Sequence, residues 1–347
     1  MKFLNFTTKD NTVSHLSSLR NLKVLFVKSG GGRNGPFKDI DKYVIRTIDD
    51  LVKELYVVSP NGDIQYLVKK HQPDLILVLL GRYLSKEKVK SFTNLGVTTA
   101  LWTGDDPYII DIMSETARAF DYVFTNELNC VPYYQSIGCR NVSYLPLGVY
   151  EKVFEPKSGS IPKLYQSDIC FVGNAFSSRI ELFDEIVPYL SNKNTKIVGN
   201  FWRKMKNYSL IKGSVRHTWI SPIEAATYYN GAKIVLNIHR SADDKKFNLN
   251  ESNIEAASIN PRTFEIAACQ AFQLTDIRKD LTNFYIPEKE IEIFSTPNEL
   301  IEKINYYLEH DQERKEIARN GYTKTYMKHR YHVRLIQLLM YVMENKV

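Results

Sequence analysis

From residue 22 the chain alternates short apolar runs with longer segments in which apolar residues recur every three or four positions. The runs LKVLFVKS, YVVSP, PDLILVLL, VTTALWT, DYVFTN and NVSYLPL have the composition of strands. The segments between them, such as DIDKYVIRTIDDLVKEL, have the periodicity of amphipathic helices. Apolar strands separated by helices are typical of a parallel sheet covered on both faces. The pattern therefore predicts a first doubly wound α/β domain over residues 1–155.

A second region of the same kind follows a segment with linker composition. EPKSGSIPK, residues 155–163, combines Pro, Gly and Ser without apolar periodicity. The alternation then restarts, with DICFVG, TKIVG, KIVLNIH and AFQLTD as strands. We predict a second Rossmann-like domain over residues 156–326 and an amphipathic helix over residues 327–347. Open parallel sheets bind ligands beyond the carboxyl ends of their strands, so we expect a site in a cleft between the two domains.

Composition and charge narrow the class of protein. Hydrophobic residues make up 44% of the 347 positions and charged residues 24%, which is typical of a soluble globular protein. No apolar run approaches the roughly 18 residues of a membrane span, and the N-terminal segment is too polar for a signal peptide. The four widely spaced cysteines make no metal-binding pattern and favour reduced thiols in a cytoplasmic protein. The net charge of +7 would attract nucleotides, acidic glycans, anionic lipid or DNA, and it distinguishes none of them.

Two loops of the first domain carry candidate chemistry. In SGGGRNGP, residues 29–36, the backbone of Gly31 and Gly32 could approach an anion closely, although a run of glycines also makes a simple turn. In LWTGDDPY, residues 101–108, we expect Pro107 at the first position of a helix and Asp106 as its N-cap. Asp105 has no such structural task. It is a candidate general base that accepts a proton from a hydroxyl nucleophile, and a solvated loop carboxylate is the alternative.

Two strand ends of the second domain carry candidate ligand contacts. FVGNAFSSR, residues 171–179, places Gly173 and Asn174 in a strand-to-helix turn whose amides could face a phosphate, with Arg179 one turn into the helix. A plain Gly turn with a surface Arg is the alternative. LNIHR, residues 236–240, places Asn237 and His239 on one face at the end of another strand. A lone His is usually structural, but this one shares its strand end with two further polar side chains.

The stretch NPRTFEIAACQAFQLTD, residues 260–276, predicts a short helix followed by a strand. Asn260 caps the helix and Pro261 occupies its first position. Arg262 and Thr263 lie in the first turn, where the helix dipole and the guanidinium would face a diphosphate, and Glu265 would accept hydrogen bonds from ribose hydroxyls. The competing interpretation is an exposed ion pair between residues three positions apart.

These motifs, in this order, resemble the CgeB-like spore-maturation family of GT-B glycosyltransferases. The resemblance covers residues 70 to 335 and includes DYVFTN, YLPLGV, DICFVGN, LNIHR, PRTFEIAACQAFQLTD and the tail from YIPEKE onward. It implies two Rossmann-like domains facing across a cleft, a donor held mainly by the second, and a C-terminal helix that returns to the first. It also implies that Glu265 contacts the donor ribose and that Arg262, Arg179, Gly173, Asn174 and His239 lie near the donor. Gln270 stands where the family commonly has Gly.

The resulting prediction is a metal-independent glycosyltransferase. It would move a sugar from a nucleotide-sugar donor, UDP-type favoured, to a hydroxyl on a surface glycan, glycoprotein or similar acceptor. Arginines and helix amides would stabilise the leaving diphosphate, so neither cofactor nor metal is expected. Three alternatives stay open: a glycosyltransferase that modifies DNA bases, a catalytically idle GT-B scaffold that binds glycan or assembles a coat, and a sugar-nucleotide epimerase.

Overall fold

The computed structural model describes residues 17–31 and 36–345, and it divides the chain into two compact units. Unit 1 contains the chain up to Leu147, the segment Asn248–Ala256 and the chain from Tyr331 onward. Unit 2 contains Gly148–Phe247 and Ala257–Arg330. The sequence-based ranges differ from this division, because they placed the first boundary at residue 155 and gave residues 248–256 to the second domain.

Strands and helices alternate along most of the described chain. The strands are β1 (Lys23–Val27), β2 (Glu54–Val58), β3 (Leu75–Leu79), β4 (Thr98–Trp102), β5 (Tyr122–Thr125), β6 (Asn141–Tyr144), β7 (Ser167–Val172), β8 (Thr195–Val198), β9 (Val215–Arg216), β10 (Ala232–Asn237), β11 (Gln273–Asp276) and β12 (Glu292–Phe294). The helices are α1 (Pro36–Asp49), α2 (Ile64–His71), α3 (Lys86–Thr93), α4 (Ile110–Ala117), α5 (Cys130–Ser136), α6 (Ser177–Leu190), α7 (Tyr208–Ile211), α8 (Pro222–Gly231), α9 (Pro261–Ala268), α10 (Pro297–Glu309), α11 (Asp311–Lys328) and α12 (Tyr331–Glu344).

Unit 1 is built on a parallel sheet with strand order β2-β1-β3-β4-β5-β6. The central strand β3, LILVL, is buried at every position, because helices cover both faces of a parallel sheet. Helix α12 packs against α1. Its Tyr331 ring lies 6.2 Å from the ring of Trp102, edge to face, and also 6.2 Å from the ring of Tyr43. The segment after residue 330 therefore contributes to the core of unit 1.

Unit 2 is built on a second parallel sheet, with strand order β12-β11-β10-β7-β8-β9. Read from β9, this is the 3-2-1-4-5-6 order of the Rossmann fold, whose strand order reverses between β7 and β10. The rings of Phe171, Phe183 and Trp202 pack edge to face at centroid distances of 4.6 to 5.5 Å in its core. Ligands of such sheets bind beyond the carboxyl ends of the strands at the reversal point, so the residues after β7 and β10 are the candidates.

Two turns of unit 2 depend on unusual backbone geometry. Gly199 follows β8 with φ +148°, and a Cβ atom there would lie 2.1 Å from the carbonyl oxygen of Gly173. Only glycine allows these two strand ends to approach so closely. Gln270 ends the α9 region with φ +54°, in the left-handed region that favours glycine. The Gly common in the family at this position would adopt that conformation without strain.

The start of α9 agrees with the sequence-based prediction, whereas the start of α4 does not. Pro261 opens α9, and the side-chain oxygen of Asn260 accepts a hydrogen bond from the Thr263 amide at 3.1 Å. Helix α4 begins at Ile110, and its cap residue Ile109 makes no side-chain cap bond. The prediction that Asp106 caps a helix opened by Pro107 is therefore wrong.

Asp106 instead lies buried beneath the end of the unit 1 sheet. Its carboxylate accepts hydrogen bonds from the hydroxyls of Thr103 and Thr125, both at 2.7 Å, and of Tyr134 at 3.1 Å. Burial raises the pKa of Asp106, while these three hydrogen bonds lower it. The carboxylate thus joins β5, the loop after β4 and α5.

Candidate functional site

The core of the candidate site is Asn237, the last residue of β10. Its amide nitrogen donates to Thr263 Oγ1 at 2.9 Å and to Gln273 Oε1 at 2.7 Å. Its Oδ1 accepts from the side-chain nitrogen of Asn260 at 3.0 Å. Asn237 and Thr263 are fully buried. This network holds the first turn of α9 against the end of β10, so both residues position the site from beneath.

Arg179 joins the two strand ends at the reversal point. The side chain is buried, and its Nε and Nη2 donate to the carbonyl of Ile238 at 3.0 and 2.7 Å. Its Nη1 donates to the carbonyl of Asn174 at 2.9 Å. The guanidinium also lies over the rings of Phe171 and Phe176. Sequence analysis placed Arg179 near a phosphate, and the structure gives it the additional task of linking the loop after β7 to the end of β10.

The amides of Gly173, Ala175 and Ser177, in and just after the loop that follows β7, have acceptors within unit 2. Gly173 N donates to the Val198 carbonyl at 2.8 Å, and Ala175 N donates to the Asn200 carbonyl at 2.9 Å. Ser177 N donates to a carboxylate oxygen of Asp244 at 2.9 Å. These three amides are therefore engaged within the protein, and a phosphate contact of this loop stays a prediction. The acceptors come from segments distant in sequence, so the local motif did not reveal them.

Arg262 and Glu265 lie on the first two turns of α9 and do not pair with each other. Arg262 Nη1 lies 3.4 Å from Asn237 Oδ1, and no carboxylate of residues 17–31 or 36–345 is within ion-pair distance of its guanidinium. The half-buried carboxylate of Glu265 likewise has no hydrogen-bond partner in the described part of the chain. Burial raises the pKa of Glu265 to about 7, and the charge of Arg262 offsets part of that rise. The interpretation as an exposed ion pair is therefore wrong.

His239 and Asp276 form a pair at the ends of β10 and β11. Asp276 Oδ1 accepts from the backbone amide of His239 at 2.9 Å and lies 2.6 Å from His239 Nδ1. Burial lowers the pKa of His239, and Asp276 offsets part of that effect. Burial also opposes ionisation of Asp276, but His239 and Arg278 outweigh it and hold the pKa of Asp276 below its usual range. Sequence analysis missed Asp276, although it follows the strand QLT at the same sheet edge as His239.

The candidates of the first domain lie in unit 1. Asp105 is half-buried after β4, and its carbonyl accepts from the Tyr108 amide at 2.9 Å. Gly31 N donates to Ser29 Oγ at 3.2 Å. Gly32 lies outside the described residues. The structure therefore gathers these sequence-predicted residues in unit 2: Gly173, Asn174, Arg179, Asn237, His239, Arg262, Thr263 and Glu265.

Two further properties of the described residues bear on function. No group of three or more His, Cys, Asp or Glu side chains within residues 17–31 and 36–345 is arranged to hold a metal ion. Over the same residues, every helix is too short or too polar to cross a bilayer.

Comparison with known proteins identifies the family. A family of proteins described as glycosyl transferase-like matches residues 179–340. Spore protein CgeB of Bacillus subtilis (strain 168) is 31% identical over 311 residues, which cover 88% of this chain and 93% of that protein. The chain belongs to the CgeB-like family. The resemblance drawn from the motifs is thereby confirmed.

Solved structures similar to this CgeB-like chain have the GT-B fold. Sucrose-phosphate synthase from Thermosynechococcus elongatus aligns with a TM-score of 0.66 and 11% identity, covering 94% of this chain and 99% of that one. Anabaena HepE, solved in complex with UDP and glucose, aligns with a TM-score of 0.63 and 12% identity, covering 94% and 100%. At these identities the likeness concerns the fold, and it confirms the predicted GT-B class with two Rossmann-like parallel-sheet domains.

Proposed function

We propose that this CgeB-like protein is a glycosyltransferase that uses a nucleotide-sugar donor, with a UDP sugar favoured. The acceptor would be a hydroxyl on a surface glycan, a glycoprotein or a similar molecule. The family and the GT-B fold support transfer chemistry. A neighbour of the same fold that holds UDP and glucose supports the choice of donor.

The observation that carries the proposal is the unpaired Arg262 and Glu265 at the strand-order reversal of unit 2. A guanidinium beside a helix N-terminus binds phosphate through charge-assisted hydrogen bonds. A carboxylate without a partner can accept hydrogen bonds from the two adjacent hydroxyls of a ribose. Side chains of opposite charge three positions apart would normally pair on a helix surface. Their separation here supports binding of a ligand that carries both phosphate and ribose.

The neighbouring residues support this site in different ways. Asn237, Thr263 and Arg179 position α9 and the loop after β7, and Gly199 allows the end of β8 to approach the Gly173 carbonyl closely. We propose Asp105 as the general base that activates the acceptor hydroxyl. Transfer would proceed without metal, since arginine and helix amides can stabilise a leaving diphosphate. A cytoplasmic location stays a prediction from the sequence.

The test is direct measurement of donor binding by calorimetry. Glu265→Gln removes the charged acceptor and Arg262→Ala removes the phosphate contact. Each should weaken UDP-glucose binding tenfold or more, which corresponds to about 1.4 kcal/mol. Neither change should alter the circular dichroism spectrum, because Glu265 has no hydrogen-bond partner in the described residues and Arg262 adds only one contact, at 3.4 Å, to the Asn237 network.

Matched controls are available on the surface of the same unit. Glu181→Gln on α6 and Arg203→Ala change exposed residues of the same charge and should leave affinity within about twofold, as surface substitutions usually do. Unchanged affinity in both site variants would remove α9 from the donor site. A thermal-shift screen of nucleotides and nucleotide sugars tests the alternative of an idle scaffold. A ligand present at 100 times its dissociation constant should stabilise the folded protein by about 2.7 kcal/mol. No stabilisation by any of these compounds would favour the scaffold.

A further inference from the structure

A cavity of about 320 Å³ lies at the carboxyl ends of β10, β11 and β12. His239, Asp276 and Ser178 contribute polar groups to its lining. Two atoms of these side chains, His239 Nε2 and Ser178 Oγ, are buried without a hydrogen-bond partner in the part of the chain that the structure describes. Buried polar atoms in folded proteins are nearly always satisfied, so two such atoms in one cavity require a ligand or water.

The Asp276 pair determines what His239 offers to the cavity. Only 1% of the His239 side chain is exposed, and its Nδ1 lies 2.6 Å from the Asp276 carboxylate. Because burial lowers the pKa of the imidazole, the ring is neutral at pH 7 and carries its proton on Nδ1, where the carboxylate accepts it. Nε2 therefore presents a lone pair and can only accept a hydrogen bond.

The walls of the cavity limit the chemical class of the ligand. An ionised phosphate oxygen has no proton to donate to Nε2, whereas a hydroxyl does. Ser178 Oγ can both donate to and accept from a second hydroxyl. Arg278 also lines the cavity, but its Nη2 donates to the Arg240 carbonyl at 2.8 Å and its charge lies beside that of Asp276. These groups favour a ligand that carries hydroxyls over one that carries phosphate.

The remaining walls combine apolar side chains with the hydroxyl-bearing residues Ser241, Ser295 and Thr296. Leu182, Ile238, Ile277, Phe294 and Pro297 face the cavity. A pyranose ring has C–H groups on its faces and hydroxyls around its edge, which matches walls that carry both apolar side chains and polar groups. Small-molecule sites usually combine apolar walls with placed polar groups, and 320 Å³ lies within their range.

We propose that this cavity binds a hexopyranose ring, with one ring hydroxyl donating to His239 Nε2 and another contacting Ser178. The inference rests on the proposed function, since a glycosyltransferase handles a sugar on its donor and another on its acceptor. Both sources present the same chemistry to the cavity. Arg262 and the N-terminus of α9 would bind the charged diphosphate of the donor.

The first test compares affinities for UDP with those for UDP-linked glucose, galactose and N-acetylglucosamine. Ser178→Ala removes a hydroxyl that bonds to nothing in the described chain, so the variant should fold and bind UDP as the wild type does. Its preference for the best UDP sugar over UDP should fall about fivefold to tenfold, as expected for one lost hydrogen bond. His239→Ala should reduce that preference at least as much.

A spectroscopic test does not depend on variant stability. The ¹⁵N resonance of His239 Nε2 reports whether its lone pair accepts a hydrogen bond. In the wild-type protein it should move with a UDP sugar and stay in place with UDP if the donor supplies the ring. It should move with a free methyl glycoside added to the UDP complex if the acceptor supplies the ring.

The outcomes separate this inference from the proposed function. The inference is overturned if UDP binds, neither a UDP sugar nor a free methyl glycoside moves the Nε2 resonance, and Ser178→Ala keeps the wild-type preference for a UDP sugar over UDP. A water molecule then fills the cavity. Failure of every nucleotide to bind would overturn the proposed function, while the free glycosides would still test the cavity.

Discussion

At the scale of single residues, the fold shifts the pKa of Glu265 into the physiological range. A glutamate in water is ionised at neutral pH, whereas burial raises the pKa of Glu265 to about 7. The carboxylate therefore changes charge in the physiological range. Ribose hydroxyls donate to the ionised form, so a bound donor would favour loss of the proton.

We expect donor affinity to fall as the pH is lowered through 7. If only the ionised carboxylate binds, the dissociation constant should rise about tenfold for each pH unit well below the pKa. UDP-glucose is the suitable ligand, because its diphosphate does not titrate there. Calorimetry at pH 6, 7 and 8 in buffers of different ionisation enthalpy should also reveal proton release in the wild type. Glu265→Gln should show neither effect, and a pH-independent wild type would contradict the assignment.

The same pKa has a consequence for stability without ligand. The folded pKa of about 7 lies above the ordinary value of 4.5, so between these values the folded protein binds a proton that the unfolded chain has lost. Stability arising from Glu265 is therefore greatest at low pH and declines as the pH rises from 4.5 to 7. Melting curves should show the wild type losing stability relative to Glu265→Gln across this interval.

At the scale of elements, side chains distant in sequence set the local chemistry. The strands could be predicted because the spacing of apolar residues is a local signal. The start of α9 could be predicted because Asn260 and Pro261 are local signals of a helix N-terminus. The role of Asp106 could not, since its partners Thr125 and Tyr134 lie on β5 and α5. Asp276 could have been found by applying the strand-end rule to β11 as well as to β10.

The position of Asp106 leads to a prediction about unit 1. Asp106→Ala would leave the Tyr134 hydroxyl without its carboxylate acceptor and weaken the bonding of Thr103 and Thr125. Leaving a buried polar group unsatisfied costs about 1–3 kcal/mol, so the free energy of unfolding should fall by at least that amount. Urea denaturation measures the free energy of unfolding, and Asp105→Ala is the control variant at the neighbouring position. Equal losses in both variants would contradict the assigned role of Asp106.

The proposed role of Asp105 as general base is tested by the turnover rate. Asp105→Asn should fold and bind UDP-glucose as the wild type does, while turnover with the acceptor falls by roughly 100-fold or more, the contribution of a general base. Near-normal turnover would place the base elsewhere.

At the scale of the whole molecule, the GT-B fold brings together the groups that we propose stabilise the leaving diphosphate. Unit 2 supplies Arg262 and the N-terminus of α9 at the reversal point of its sheet. These groups are available without a bound ion.

We therefore expect transfer or donor hydrolysis to persist in excess EDTA. Release of UDP from UDP-glucose measures this, with and without added manganese or magnesium. A reaction abolished by EDTA and restored by either metal would contradict metal independence and direct attention to the carboxylates of Asp105 and Asp106.

The path of the chain through the two units constrains how the protein can be synthesised. Unit 2 lies within residues 148–330, whereas unit 1 needs residues from both sides of it. On the ribosome, the apolar face that α12 covers stays uncovered until Tyr331–Glu344 has emerged. The first unit to begin translation is thus the last to finish folding, contrary to the usual N-terminal-first order. A nonsense codon near position 330 would consequently damage the N-terminal unit and leave the unit next to the lesion whole.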